Sequence, residues 1–144
     1  MDSLEEITPH RTAFLGKLIG LYCIAISISI LAHAQATVEI MKAILRDPPL
    51  LFIAGLLGMT AGLAIVLAHN VWSGGALAIL VTLFGWASLI KGVLLLVLSP
   101  EKESRVFIVG LGFEQHPKIY AAFLLLVGTY LAYAGFKSSK ASFK

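Results

Sequence analysis

ALAILVTLFGWASLIKGVLLLVL, residues 76–98, is almost unbroken apolar sequence with one charge, Lys91, set well inside it. It is long enough to cross ~30 Å of hydrocarbon as a helix, and too long for an ordinary buried strand. Three further runs of similar character occupy residues 14–36, 50–68 and 119–136. Water is absent from a bilayer core, so each run must satisfy its backbone internally, which means a helix. The sequence therefore predicts an all-α bundle of four transmembrane helices, forming one domain over residues 1–144.

Composition agrees. A mean hydropathy of +0.91 and 13% charged residues, against the usual ~25%, exclude an ordinary soluble domain. The formal charge of +3 comes from lysines near span boundaries rather than from a continuous basic face, so nucleic acid is not an expected partner. Cys23, the single cysteine, cannot form an internal disulfide and reads as a small apolar residue in the first run. Arg11 and Lys17 followed by an apolar stretch and Ala34-Gln35-Ala36 resemble a cleavable signal. The acidic Asp2, Glu5 and Glu6 and the length of the run favour a retained first transmembrane helix.

Local signals mark helix ends. Thr8-Pro9, Asp47-Pro48-Pro49 and His116-Pro117 each read as a cap followed by proline in a first turn, and Ser99-Pro100 could open a short helix. Residues 37–46 place Val38, Met41 and Leu45 on one face and Glu39, Lys42 and Arg46 on others, the pattern of an interfacial amphipathic helix. Short interfacial helices are thus expected in the first and third connections. Residues 69–75 allow only a tight turn, so the second and third spans form a hairpin, flanked by the two outer helices. Five cations fall on each side of the membrane, which leaves orientation unbiased; cytoplasmic termini follow from a general prior alone.

Catalytic machinery is not expected. The spans contain neither Asp nor Glu, and no Cys, His and carboxylate cluster has metal-ligand spacing, so no enzyme activity and no cofactor is anticipated. His33 and His69 lie near opposite membrane faces, roughly 25 Å apart along the normal at 1.5 Å per residue, and cannot share a metal in one subunit. For His69 the expected role is a cap on the hairpin turn together with Asn70.

Lys91 lies ~10 Å from the end of its run, at the flank of a small-residue stripe made by Ala78, Thr82, Gly85 and Gly92. Its stem could snorkel to the headgroups; otherwise the ammonium faces the bundle or another subunit, with His33 and Glu39 on the same side of the membrane. Ser27, Ser29, Thr60, Trp86, Ser88, Thr129 and Tyr130 fall near the middles of their helices. They read either as a mid-membrane solute site or as interhelical hydrogen-bonding groups. Gly16-x-x-x-Gly20 and Gly58-x-x-x-Gly62 are literal GxxxG motifs, and Gly85, Gly92 and Gly128 extend the small faces. Such faces let helices approach closely within a bundle or between subunits.

Small size, four spans and balanced charge make the chain similar to the small multidrug resistance transporters and the fluoride-channel family, both dual-topology dimers. The first family places a glutamate in its first helix, where this chain has Cys23, Ser27 and Ser29; the glycine-arginine and asparagine signatures of the second are not found. The resemblance is architectural and transfers no residues. His69-Asn70-Val71-Trp72, Gly85-Trp86 and Lys91-Gly92 look like stretches of small bacterial membrane proteins, which implies a bacterial inner membrane. The leading expectation is a self-associating channel or carrier component for a polar or anionic solute. The alternatives are an accessory subunit docked on a larger membrane complex and a lipid- or quinone-binding helper that uses Trp86 and Lys91.

Overall fold

A computed structural model describes the backbone of residues 2–98 and 115–141, and the side chains of 10–98 and 115–138. The described residues are helical with short connections: α1 (Asp2–Ala32), α2 (Ala34–Arg46), α3 (Pro48–Ala68), α4 (Ala76–Val97) and α5 (Pro117–Ala141). Four stretches are long and apolar enough to cross a membrane: His10–Ala32, Pro48–Ala68, Ala76–Val97 and Pro117–Ser138. The protein is an all-α membrane protein.

Two of the capping expectations hold at atomic level. The Asp47 side chain accepts from the Leu50 N–H at 3.2 Å, with proline in the first positions of α3, where a missing N–H costs nothing. Pro117 opens α5, and the His116 carbonyl accepts from the Ile119 N–H at 3.1 Å. Thr8-Pro9 is a correction, because α1 begins at Asp2 and runs through Pro9. A proline forfeits one backbone bond. The preceding Leu4-Glu5-Glu6-Ile7 are compatible with helix, and acids suit a helix start. The expectation at Ser99-Pro100 lies outside the described residues.

The first span ends at Ala32 rather than at residue 36. His33 breaks the helix with φ −135° and ψ 52°, without glycine or proline. Beyond it α2 buries Val38 and Leu45 and exposes Glu39 and Arg46, as its amphipathic pattern requires, and leaves Ile40 exposed as well. The third connection, where the other interfacial helix was expected, lies outside the described residues except at its end.

The second and third spans form the expected antiparallel hairpin, α3 with α4, but the outer helices do not flank it. α1 pairs closely with α5, also antiparallel, and the two pairs are set side by side. The seam between the pairs is apolar: buried Ile19 and Cys23 from α1, Val81 from α4 and Leu131 from α5, ringed by Leu77, Phe84, Leu124 and Ile65. Pairing the first helix with the last depends on contacts that no local pattern encodes.

Glycine explains how closely each pair approaches. A Cβ added at Gly20 would lie 2.7 Å from the Gly128 carbonyl oxygen and would also strike the Ala132 nitrogen. One added at Gly92 would lie 2.7 Å from the Met59 Cα, and one at Gly62 2.6 Å from the Leu89 Cα. In lipid, helix association rests on packing of this kind, because the tails are as apolar as leucine. The two GxxxG motifs are not symmetric. Gly16 faces the flexible Leu77 side chain, and a Cβ added at Gly58 would lie no closer than 3.4 Å to the Gly92 Cα, so the second glycine of each motif makes the tight backbone contact. A Cβ added at Gly85 would lie 2.6 Å from the Ile65 side chain.

Candidate functional site

Gly58 meets Gly92 and Gly62 meets Leu89, which places Thr60 of α3 level with Lys91 of α4. Both are exposed on the outside of the single chain. The stripe beside Lys91 is buried as the sequence implied: Ala78, Thr82, Gly85 and Gly92 all face a neighbouring element. Lys91 itself is at the flank of that stripe and points away from the interior packing.

The mid-membrane hydroxyls do not converge. Ser27 is fully buried and donates to the Cys23 carbonyl, one turn back, at 2.7 Å. Thr60 donates to the Leu56 carbonyl at 2.8 Å and Thr129 to the Leu125 carbonyl at 2.7 Å, both on exposed faces. Ser88 alone crosses between helices, donating to the Gly58 carbonyl at 3.1 Å. These hydroxyls are thus occupied by backbone carbonyls. Ser29 is exposed.

His33 is exposed at the α1–α2 break, and its carbonyl accepts from the Thr37 hydroxyl at 3.0 Å. Glu39 lies 3.5 Å from the Lys42 ammonium, one turn along α2. The Trp86 indole reaches back along α4 to the Asn70 side-chain oxygen at 3.5 Å, an oxygen that also accepts from Trp72 at 2.9 Å. Trp86 is therefore tied to the connection between α3 and α4 rather than to Lys91. Among the described residues, no three His, Cys, Asp or Glu side chains come close enough to hold a metal.

The more elaborate polar construction lies at the end of the molecule where α3 passes into α4. The connection there is not a simple tight turn. It doubles back over α4, so that the Thr82 hydroxyl accepts from the Val71 N–H at 3.2 Å and donates to the Val71 carbonyl at 2.9 Å. His69 caps α3 through its N–H on the Ile65 carbonyl at 2.7 Å, and its ring is 2% exposed. Its Nδ1 lies 3.5 Å from the Thr12 hydroxyl of α1, while its Nε2 is buried with no hydrogen-bond partner. Loss of hydration lowers the His69 pKa from the ordinary 6.5, with the Ala78 backbone opposing that shift. The sequence marked His69 and Asn70 as turn residues; it gave no sign that the His69 ring would be enclosed.

Next to this corner is a cavity of about 770 Å³ between the start of α4 and the end of α5. Its wall includes Thr12, Ser73, Leu77, Tyr130, Tyr133 and Lys137. Comparison with protein-family models, curated proteins and solved structures found no match for this chain.

Proposed function

We propose that this is a non-catalytic membrane protein that works as a homo-oligomer and conducts or carries a polar or anionic solute along the outer face of α4 at Lys91. The observation that carries the reading is a contrast at one depth. Lys91 is exposed, whereas the interior beside it is closed by Gly92 against Met59 and Gly58. A solute that uses the ammonium would therefore pass between copies of the chain, not through one copy. Thr60 of α3, at the same level as Lys91, is also exposed.

The GxxxG faces do not support this association, because Gly20, Gly62 and Gly92 are occupied by contacts within the chain. The contact between copies is expected instead on the outer surface of α3 and α4. A role as an accessory subunit would use the same surface, with a larger protein in place of the second copy.

Native mass and flux into liposomes test the reading. The expected result is a homo-oligomer whose anion flux falls about tenfold in Lys91→Met, the change that 1.4 kcal/mol of lost interaction produces. Oligomer mass should persist in the variant. An anion flux that survives Lys91→Met unchanged sinks the role given to Lys91. A monomer that co-purifies with large subunits replaces the reading with the accessory one.

A further inference from the structure

We propose that the cavity between the start of α4 and the end of α5 binds a phosphate group, carried by a lipid headgroup or free in solution. This site is at the opposite end of α4 from Lys91 and does not depend on the role proposed there. Its volume of about 770 Å³ falls within the ~300–1,000 Å³ of ordinary ligand sites. Four elements build it: α1 through Thr12, the connection through Val71 to Gly75, α4 through Ala76 to Ala78, and α5 through Tyr130 to Ser138.

The lining has the chemistry of an anion site. Among the described residues, it holds one cation, Lys137, and no carboxylate. Hydroxyls of Thr12, Ser73, Ser138 and two tyrosines are distributed around it. The N-terminus of α4 opens into the same space. Gly75 occupies the cap position and supplies no side-chain acceptor, and the first intrahelical acceptor bond there runs from Ile79 to the Gly75 carbonyl at 3.3 Å. The N–H groups of Ala76, Leu77 and Ala78 precede that bond and lack an intrahelical acceptor. A phosphate meets both their donors and the positive end of the helix dipole.

The approach is kept open by sequence. Gly74 and Gly75 adopt φ of 95° and 111°, a region side chains rarely enter, and nothing lies within 4 Å of where their Cβ atoms would be. Apolar surface from Leu77, Ala134 and the tyrosine rings completes an amphipathic lining.

The test uses the full chain in nanodiscs of defined composition, with retained lipid counted by native mass spectrometry. One arm offers phosphatidylglycerol against phosphatidylcholine; a second titrates inorganic phosphate into protein held in a neutral detergent. Lys137→Gln removes the lining cation, and Lys118→Gln removes an exposed cation at the other membrane end. Preferential phosphatidylglycerol retention that falls roughly fivefold in Lys137→Gln, the factor of one lysine near a membrane surface, and not in Lys118→Gln supports a headgroup site. Saturable phosphate binding with the same dependence supports the site with a soluble ligand. Equal loss in both variants, or no selectivity in either arm, overturns the proposal.

Discussion

In the α1–α5 pair, Gly20 lies against Gly128 and Ala132; in the α3–α4 pair, Gly62 and Gly92 lie against Leu89 and Met59. The closure is the same, yet the surfaces left over differ. A third of the α1 span and 28% of the α5 span are buried within the chain, against 17% for α3 and 22% for α4. The exposed Lys91, Trp86 and Thr60 belong to the second pair. One pair supplies most of the seam through Ile19, Cys23 and Leu131, while the other presents most of its surface outward. Glycine contacts therefore report how each pair holds together, and the leftover surface is where a partner would act.

The largest effect should come from closing the glycine contacts. Gly20→Ala and Gly92→Ala each place a Cβ against backbone, which cannot swing aside as a side chain can. Each should cost about 3 kcal/mol, the upper part of the usual overpacking range, read as unfolding free energy in micelles. Gly58→Ala should stay within about 1 kcal/mol, since its Cβ would come no closer to a neighbour than the 3.4 Å to the Gly92 Cα, an ordinary van der Waals contact. If Gly58→Ala proves as damaging as Gly92→Ala, the asymmetry within the GxxxG motif is wrong. If only one of Gly20→Ala and Gly92→Ala is damaging, the two pairs do not close alike.

Much of the fold was legible because its signals are local. Asp47-Pro48 and His116-Pro117 mark helix starts through chain geometry alone, and apolar length defines the spans whatever their neighbours. The buried stripe of Ala78, Thr82, Gly85 and Gly92 follows from helical periodicity. The pairing of α1 with α5 was not legible, since every span carries small residues and none specifies its partner. The break at His33 lacks the usual glycine or proline. At the candidate site, helical periodicity puts Lys91 at the flank of the stripe, where it is exposed. Sequence could not tell that the hydroxyls at similar depth would turn to carbonyls, because donor geometry depends on rotamer and neighbour. The enclosure of His69 was hidden for a related reason: it is created by Thr12 from a helix more than fifty residues away in the chain.

His69 tests the seam instead of either pair, because it joins α1 to the α3–α4 connection. Burial lowers its pKa, so the folded protein binds fewer protons there than the unfolded chain does. The contribution of the neutral ring is therefore complete above the ordinary value of 6.5 and is lost as pH falls below it. Unfolding free energy should decline as pH falls below the ordinary 6.5, and His69→Gln should flatten that decline even if it lowers stability overall. The α1–α5 glycine contacts should not respond to pH. An identical pH dependence in His69→Gln would place the proton uptake elsewhere.

The smallest effect isolates a side-chain hydrogen bond that crosses the α3–α4 pair. Ser88 donates to the Gly58 carbonyl at 3.1 Å, and that carbonyl belongs to a helix whose own backbone bonds remain available. Removing the hydroxyl in Ser88→Ala leaves no buried donor behind and adds a residue that favours helix. The loss should be about 0.6 kcal/mol, the average measured for hydrogen bonds between membrane helices. It should also add to the cost of Gly20→Ala, whose contacts lie in the other pair, and fail to add to that of Gly92→Ala, which would already have moved α3 away from α4. Additivity with Gly20→Ala and coupling with Gly92→Ala would show that the two pairs yield independently; coupling with both would show that the seam makes them one unit.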